Sequence, residues 1–166
     1  MTDIPALLQE LESTWHREIP LAAAMAIESE SYQDGTLRVR APLDPNRNVH
    51  GTAFAGSLFS VCVLTGWGSV WLALRQAGLD GHIVVSESRI QYRKGVTGDI
   101  ACTCRPDAAA LARGLEELRA ADRMSLPLVC TVEADGRRAV TFEGTYVVRG
   151  ATSHPGERRG HRPRSS

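Results

Sequence analysis

The sequence lacks charge over one long stretch. No Asp, Glu, Lys or Arg occurs between Arg47 and Arg75, and the window 51–74 is longer than the ~20 apolar residues that span a bilayer. That window also holds Ser and Thr side chains and four glycines, and it has no flanking cluster of Lys or Arg to orient a membrane span. The segments after it alternate like half-buried strands, and their sheet would need a second layer to cover its apolar face. We therefore expect a helix buried inside the protein and no membrane partner.

The sequence also lacks a charge imbalance and any metal-binding cysteine pattern. Its 166 residues include 19 basic and 19 acidic side chains, and 43% are hydrophobic, which is typical of one soluble globular domain rather than of a nucleic-acid-binding chain. The four cysteines form no C-x-x-C pair and have no histidine at metal-ligand spacing, so we expect free, buried thiols and no metal or other cofactor. The N-terminus carries acids where a signal peptide carries basic residues, and we expect a cytoplasmic protein.

Local patterns predict the first half of the chain. Residues 3–16 have apolar side chains at helical spacing. Two strands follow, joined by Asp34-Gly35, a dipeptide that tolerates the positive φ of a tight hairpin. The uncharged stretch then forms the long helix, which Thr52 is placed to cap and Gly78 is placed to end.

The second half of the chain predicts four strands and one short helix. In the long strand "HIVVSESRIQYRKGV", alternation puts one set of side chains on each face. One face is predicted to carry Ser86, Ser88, Ile90 and Tyr92, and the other Val85, Glu87, Arg89 and Gln91. Gly98-Asp99 turns the chain into a strand with inward-facing cysteines, Asp107 caps a surface helix, and Asp135-Gly136 joins the last two strands.

The element order is two strands, one long helix, and four strands in hairpins with a small helix between the pairs. It predicts an α+β fold in which an antiparallel sheet wraps around one central helix. Residues 1–149 would form this single domain, beginning with the short N-terminal helix. Residues 150–166 are rich in Arg, Pro, Gly and Ser, and they predict a disordered basic tail.

The element order and the glycine-rich entrance of the helix resemble the hotdog fold of acyl-thioester enzymes over residues 20–149. One branch of that superfamily, similar to the phenylacetate-pathway acyl-CoA thioesterases, carries N-x-x-G-x-x-H-G-G at the helix entrance and an acidic residue seven positions later. Here Asn48 and Gly56 match the first and last positions of that motif, whereas Phe54 stands at the His position and Val63 at the acidic one. Neither this alignment nor one that starts from the His-Gly pair of the loop supplies a carboxylate.

A closer resemblance is to the thioesterase family of the YiiD C-terminal type. Its members read much like "APLDPNRNVHGTAFAGSLFS", "LTGWG" and "YRKGVTGD". Some members of that family are understood to decarboxylate malonyl-acyl carrier protein rather than hydrolyse a thioester. The resemblance implies an enzyme that acts on a short acyl thioester of coenzyme A or acyl carrier protein, assembled as a homodimer or as a tetramer of two such dimers.

The missing carboxylate separates two reactions. Thioester hydrolysis needs an activated water, for which Glu87 on the long strand is the nearest candidate base. Decarboxylation of a malonyl thioester needs no protein base in the bond-breaking step, but it needs hydrogen-bond donors for the enolate oxygen. Asn48, Asn46 and the backbone N–H of Gly56 are the candidate donors, since the N-terminus of a helix carries partial positive charge.

Further side chains of the helix and of the long strand are candidates to line the substrate cleft. These are Phe54, Ser57, Val63, Ser86 and Ser88. Structural roles compete with the functional ones, because an Asn in a turn often only orders that turn and a glycine often only permits close packing. Decarboxylation is the leading hypothesis. The alternatives are hydrolysis through Glu87 or a positioned water, and binding of an acyl thioester without catalysis.

Overall fold

One antiparallel sheet and one long central helix dominate the structure, a computed structural model that describes residues 3–151. The helices are α1 (Ile4–Glu18), α2 (Pro20–Ala24), α3 (Ala55–Gln76) and α4 (Ala108–Ala121). The strands are β1 (Glu28–Gln33), β2 (Thr36–Ala41), β3 (Gly81–Tyr92), β4 (Ile100–Cys104), β5 (Arg123–Ala134) and β6 (Arg137–Gly150). Because α3 packs against β2, β3, β4, β5 and β6, the predicted α+β arrangement of a sheet around one helix is confirmed.

The strand order in the sheet is β1-β2-β4-β5-β6-β3, and all neighbours are antiparallel. The predicted hairpins at Asp34-Gly35 and Asp135-Gly136 are confirmed, and both dipeptides have positive φ. The predicted hairpin between β3 and β4 is wrong. The chain after β3 crosses from one sheet edge to the interior, where β4 lies between β2 and β5. Local alternation identifies a strand but does not specify its partner, which long-range packing selects.

The uncharged stretch forms the core helix. By length and composition α3 could cross a membrane, yet 78% of its most apolar window is buried inside the protein. Tyr146 of β6 reaches the middle of this helix, and its hydroxyl donates to the backbone oxygen of Val63 at 2.8 Å. A Cβ on Gly66 would lie 2.2 Å from that hydroxyl oxygen, so only glycine permits this approach.

The sequence prediction is correct for the C-terminal end of α3 and wrong for its N-terminal cap. Gly78 has φ +66° directly after the helix, and the next residue, Leu79, donates its N–H to the oxygen of Leu74, which confirms the predicted C-terminal end. The predicted cap by Thr52 is wrong. Phe54 is the N-cap residue and makes no side-chain capping bond. Thr52 instead hydrogen-bonds to Asn48 within the preceding loop.

A β-bulge at Ser86 changes the predicted faces of β3. Val85 pairs with Tyr146, whereas the next paired residue, Glu87, lies opposite Thr145. The extra residue reverses the alternation, so Val85 lies on the inner face with Ser88 rather than on the outer face with Glu87. Strict alternation from sequence was therefore wrong for Val85.

The chain termini and the cysteines complete the fold. Helix α1 confirms the predicted N-terminal helix, whereas α2, which begins at Pro20, was not predicted. The four cysteines are free and buried, as predicted. Strand β6 includes Gly150, the first residue of the predicted basic tail 150–166, and residues 152–166 of that tail lie outside the described residues.

Candidate active site

A cleft of about 330 Å³ opens at the N-terminal end of α3. One wall is the loop 48–53, the floor is the start of α3, and the other wall is the segment 92–95. The lining residues are Asn48, Thr52, Ala53, Ala55, Leu58, Tyr92, Arg93, Lys94 and Gly95. The cleft thus joins two segments that are about 40 residues apart in the sequence.

One main-chain and one side-chain hydrogen bond hold the parts of the cleft together. The N–H of Ala53 donates to the oxygen of Val96 at 2.8 Å, which ties the loop to the segment after β3. The hydroxyl of Tyr92 donates to the oxygen of Ala55 at 3.0 Å, which ties the same segment to the first turn of α3. Burial raises the pKa of Tyr92, which favours the neutral phenol that makes this bond.

Asn48 orders the loop wall with its side chain. Its Oδ1 accepts the N–H groups of His50 at 2.8 Å and Thr52 at 3.2 Å, which is the pattern of an Asx turn. Its Nδ2 donates to Thr52 Oγ1 at 2.9 Å. An amide nitrogen carries two hydrogens, and no second acceptor for Asn48 occurs among residues 3–151. The structural role of Asn48 therefore leaves one N–H available in the half-buried cleft.

The first turn of α3 presents unsatisfied backbone donors. The N–H groups of Ala55, Gly56 and Ser57 have no acceptor in the described part of the chain, whereas Leu58 already donates to the oxygen of Phe54. Helix starts of this kind carry partial positive charge. The ring of Phe54 covers part of the turn, since a Cβ on Gly56 would lie 2.4 Å from its Cε1.

Asn46 lies beneath the cleft rather than in its lining. It is 1% exposed, and its Nδ2 donates to the oxygens of Met25 at 2.9 Å and Pro42 at 2.8 Å. Its backbone oxygen accepts the N–H of Phe54 at 2.7 Å. These bonds fix the chain that leads into α3, so Asn46 acts here as a positioning residue.

The two charged residues that line the cleft are both basic. Arg93 and Lys94 line it, and no Asp or Glu is among the nine lining residues. Lys94 Nζ lies 2.6 Å from the carboxylate of Asp135, which compensates part of its charge. The amide donors and cations together suit an anionic group or a carbonyl oxygen that gains negative charge.

Glu87 lies in a different cavity. About 540 Å³ in volume, this cavity lies on β3, β5 and β6 and is lined by Glu87, Ser88, Arg89, Pro127, Leu128, Val129, Glu143, Gly144 and Thr145. Ser86, at the bulge, donates to the oxygen of Thr145 at 3.3 Å. The structure does not bring Glu87 or Ser88 together with Asn48 in one cavity of the single chain.

Two predicted residues of α3, Ser57 and Val63, are not among the lining residues of the cleft. Ser57 is 8% exposed and next to Gly56. Val63 lies eight positions beyond the helix start, roughly 12 Å along the axis, where its oxygen binds Tyr146. Of the predicted residues, only Asn48 lines the cleft directly.

Of the cleft residues that the sequence prediction missed, four have polar or charged side chains: Thr52, Tyr92, Arg93 and Lys94. The signal was present in the segment "YRKGVTGD", which combines an aromatic ring with two cations before a glycine. This segment lies close to the loop 48–53 because of a non-local strand connection, so the spacing of residues in the sequence could not reveal the contact. Within residues 3–151, no group of three or more His, Cys, Asp or Glu could hold a metal ion.

Comparison with known proteins finds a matching family model and similar solved structures. A family model described as "putative thioesterase (yiiD_Cterm)" matches residues 8–150. A crystal structure described as a putative thioesterase from Shewanella oneidensis is 36% identical, with a TM-score of 0.78, and the match covers 87% of this chain and 99% of that one.

Two further solved structures share the fold. A protein of unknown function from Chlorobaculum tepidum is 28% identical with a TM-score of 0.85, and the match covers 89% of this chain and 96% of that one. A thioesterase from Haemophilus influenzae is 11% identical with a TM-score of 0.67, covering 94% and 96% of the two chains. At that identity the last match is informative about the fold alone.

Proposed function

Because this chain belongs to the YiiD C-terminal family of hotdog-fold thioesterase-like proteins, we propose that it is an enzyme that acts on short acyl thioesters. The proposed reaction is decarboxylation of malonyl-acyl carrier protein to the acetyl thioester. One observation carries this choice: the cleft at the start of α3 combines amide donors with cations and has no carboxylate in its lining.

The proposed chemistry uses the substrate's own carboxylate. The bond between the carboxylate carbon and the α-carbon breaks, CO₂ leaves, and the electron pair forms an enolate whose charge lies on the thioester oxygen. The α-carbon then takes a proton from water, and the hydroxide that is left combines with CO₂ to give bicarbonate. The free N–H of Asn48 and the backbone N–H groups of Ala55, Gly56 and Ser57 are the donors proposed for the enolate oxygen. An acidic side chain in this cleft would repel the malonyl anion.

Hydrolysis is the second candidate, and the family description and the Shewanella oneidensis relative favour it. Hydrolysis requires a base that activates water. Glu87 was the sequence-based candidate for that role, but it lines the other cavity of the chain. A hydrolase would therefore need a second copy to supply the base, or a water positioned by the amide donors alone. A binding protein without catalysis is the third candidate, because the same cleft suffices for it.

We also propose that the protein is a cytoplasmic homodimer that pairs through β3. The edge strand β3 has 12 residues and pairs only with β6 within residues 3–151, and Val84 on it is 56% exposed. At the other edge, β1 has six residues and packs against α1. A long uncovered edge strand is the usual site of pairing with another chain. Pairing of dimers into a tetramer would be a further step.

The proposed reaction is tested by following two products. Purified protein is incubated separately with malonyl-acyl carrier protein, malonyl-CoA and acetyl-CoA, while CO₂ and free thiol are measured. Release of CO₂ without thiol supports decarboxylation. Release of thiol from any substrate supports the hydrolase instead, and binding without either product supports the non-catalytic alternative.

A further inference from the structure

Arg93 occupies a fixed position on the wall of the cleft opposite Asn48. Its backbone N–H donates to the oxygen of Ala139 at 2.8 Å, which holds the segment on β6. The preceding residue, Tyr92, is bonded through its hydroxyl to Ala55 at the start of α3. The backbone of Arg93 is therefore anchored to both the sheet and the helix, although its side chain is exposed.

The charge of Arg93 has no counterion in the described chain. Its guanidinium donates one bond, at 2.9 Å, to the neutral amide oxygen of Gln91, and it forms no ion pair within residues 3–151. Its neighbour Lys94 is paired with Asp135. Arg93 is thus the cleft-lining cation whose charge stays uncompensated, beside helix N–H groups that add positive potential.

We propose that Arg93 is a specificity-determining residue that binds the free carboxylate of a short dicarboxylic acyl group, such as malonyl, and thereby selects it over acetyl. This inference rests on the proposed function, because it assigns the acyl group that enters the same cleft. A guanidinium is planar and always charged, and it binds a carboxylate through two parallel hydrogen bonds.

The pairing has a characteristic kinetic consequence. The carboxylate is fully charged in the bound substrate and loses its charge as CO₂ departs. Arg93 therefore stabilises the ground state more than the transition state. Loss of the guanidinium is expected to raise KM for the malonyl substrate while kcat stays constant or rises. A residue that only maintained the fold would lower kcat and would affect malonyl and acetyl substrates alike.

The experiment uses malonyl-pantetheine and acetyl-pantetheine, which carry no phosphate, so that only the acyl carboxylate distinguishes them. For wild type and Arg93→Gln, KM and kcat for CO₂ release from malonyl-pantetheine are measured, together with the inhibition constant of acetyl-pantetheine. We expect Arg93→Gln to raise KM for malonyl-pantetheine about tenfold, because one charge-assisted contact in a half-open cleft is lost. The inhibition constant of acetyl-pantetheine should stay within about twofold of the wild-type value.

Two further variants control for charge and geometry. Arg113→Gln removes the same charge from an exposed position on α4, which contributes no residue to the cleft, and it is expected to leave both constants unchanged. Arg93→Lys keeps the charge without the planar fork and is expected to retain part of the discrimination. Equal changes for malonyl and acetyl compounds in Arg93→Gln, or no change for either, would overturn the inference.

Failure of the proposed reaction remains distinguishable from failure of this inference. If wild type releases no CO₂, decarboxylation is wrong, and direct calorimetry with the two pantetheine thioesters then tests Arg93. Malonyl-selective binding that Arg93→Gln abolishes supports its role. If wild type releases CO₂ and Arg93→Gln has an unchanged KM, the reaction stands and the role of Arg93 is refuted.

Discussion

The first turn and the middle of α3 belong to one continuous helix but meet opposite surroundings. At the first turn, three backbone N–H groups face no acceptor among the described residues, and a cleft with two cations lies beside them. In the middle, Tyr146 is 0% exposed and its hydroxyl donates a hydrogen bond to the backbone oxygen of Val63. One helix thus presents free donors at its open end, where we propose that the reaction occurs, and a sealed core contact two turns further on.

The largest expected effect is on activity at the open end. Asn48→Ala should lower turnover about 100- to 1000-fold, the usual loss for one donor to a developing oxyanion, while the oligomeric state stays that of wild type. Steady-state CO₂ release and size-exclusion chromatography measure the two quantities. Full activity in this variant would remove Asn48 from the mechanism. Thr52→Val, which deletes the hydroxyl that orients Asn48 Nδ2, should show a smaller loss.

The next effect is on stability in the sealed middle. Gly66→Ala places a Cβ 2.2 Å from the hydroxyl oxygen of Tyr146, and overpacking a core in this way costs about 1–3 kcal/mol. Chemical denaturation should show a lower free energy of unfolding, whereas turnover per folded molecule should match wild type. Unchanged stability together with reduced turnover would contradict the separation of the two regions.

A smaller loss of stability is expected from Tyr146→Phe. It removes the bond to the oxygen of Val63, worth about 1 kcal/mol, and keeps the buried ring. The double variant with Gly66→Ala tests the coupling, because the added Cβ then meets no hydroxyl oxygen and clashes only with the ring carbons, of which Cζ lies 2.5 Å away. In a double-mutant cycle, the double variant should lose less stability than the sum of the losses in the two single variants. Strict additivity would show that the contact does not couple these residues.

The smallest effect is expected outside both regions. Glu87→Gln changes a side chain in the cavity of β3, β5 and β6, and CO₂ release should stay within about twofold of wild type because no base is needed. The measurement also includes thiol release. A loss of thiol release of about 100-fold in this variant would identify Glu87 as a base and favour the hydrolase.

Local sequence signals were sufficient for the elements that depend on neighbours in the chain. The uncharged window located α3, and each Asp-Gly dipeptide located a hairpin, since turn chemistry acts over a few residues. The position of β3 at the sheet edge and the bulge at Ser86 were not predictable, because strand partners and register depend on long-range packing. Asn48 was predicted as a site residue from a local motif. Arg93, which lies across the cleft from it, was not predicted, because long-range packing brings the two residues together.

The reactivity of the four buried thiols reports when the core of this protein opens. Cys62, Cys102, Cys104 and Cys130 are each at most 1% exposed, so a thiol reagent reaches them only when the surrounding core separates. Cys62 lies on α3 and the others on β4 and β5. Pulse alkylation followed by peptide mass spectrometry would therefore distinguish departure of the helix from rupture of the sheet without any engineered label.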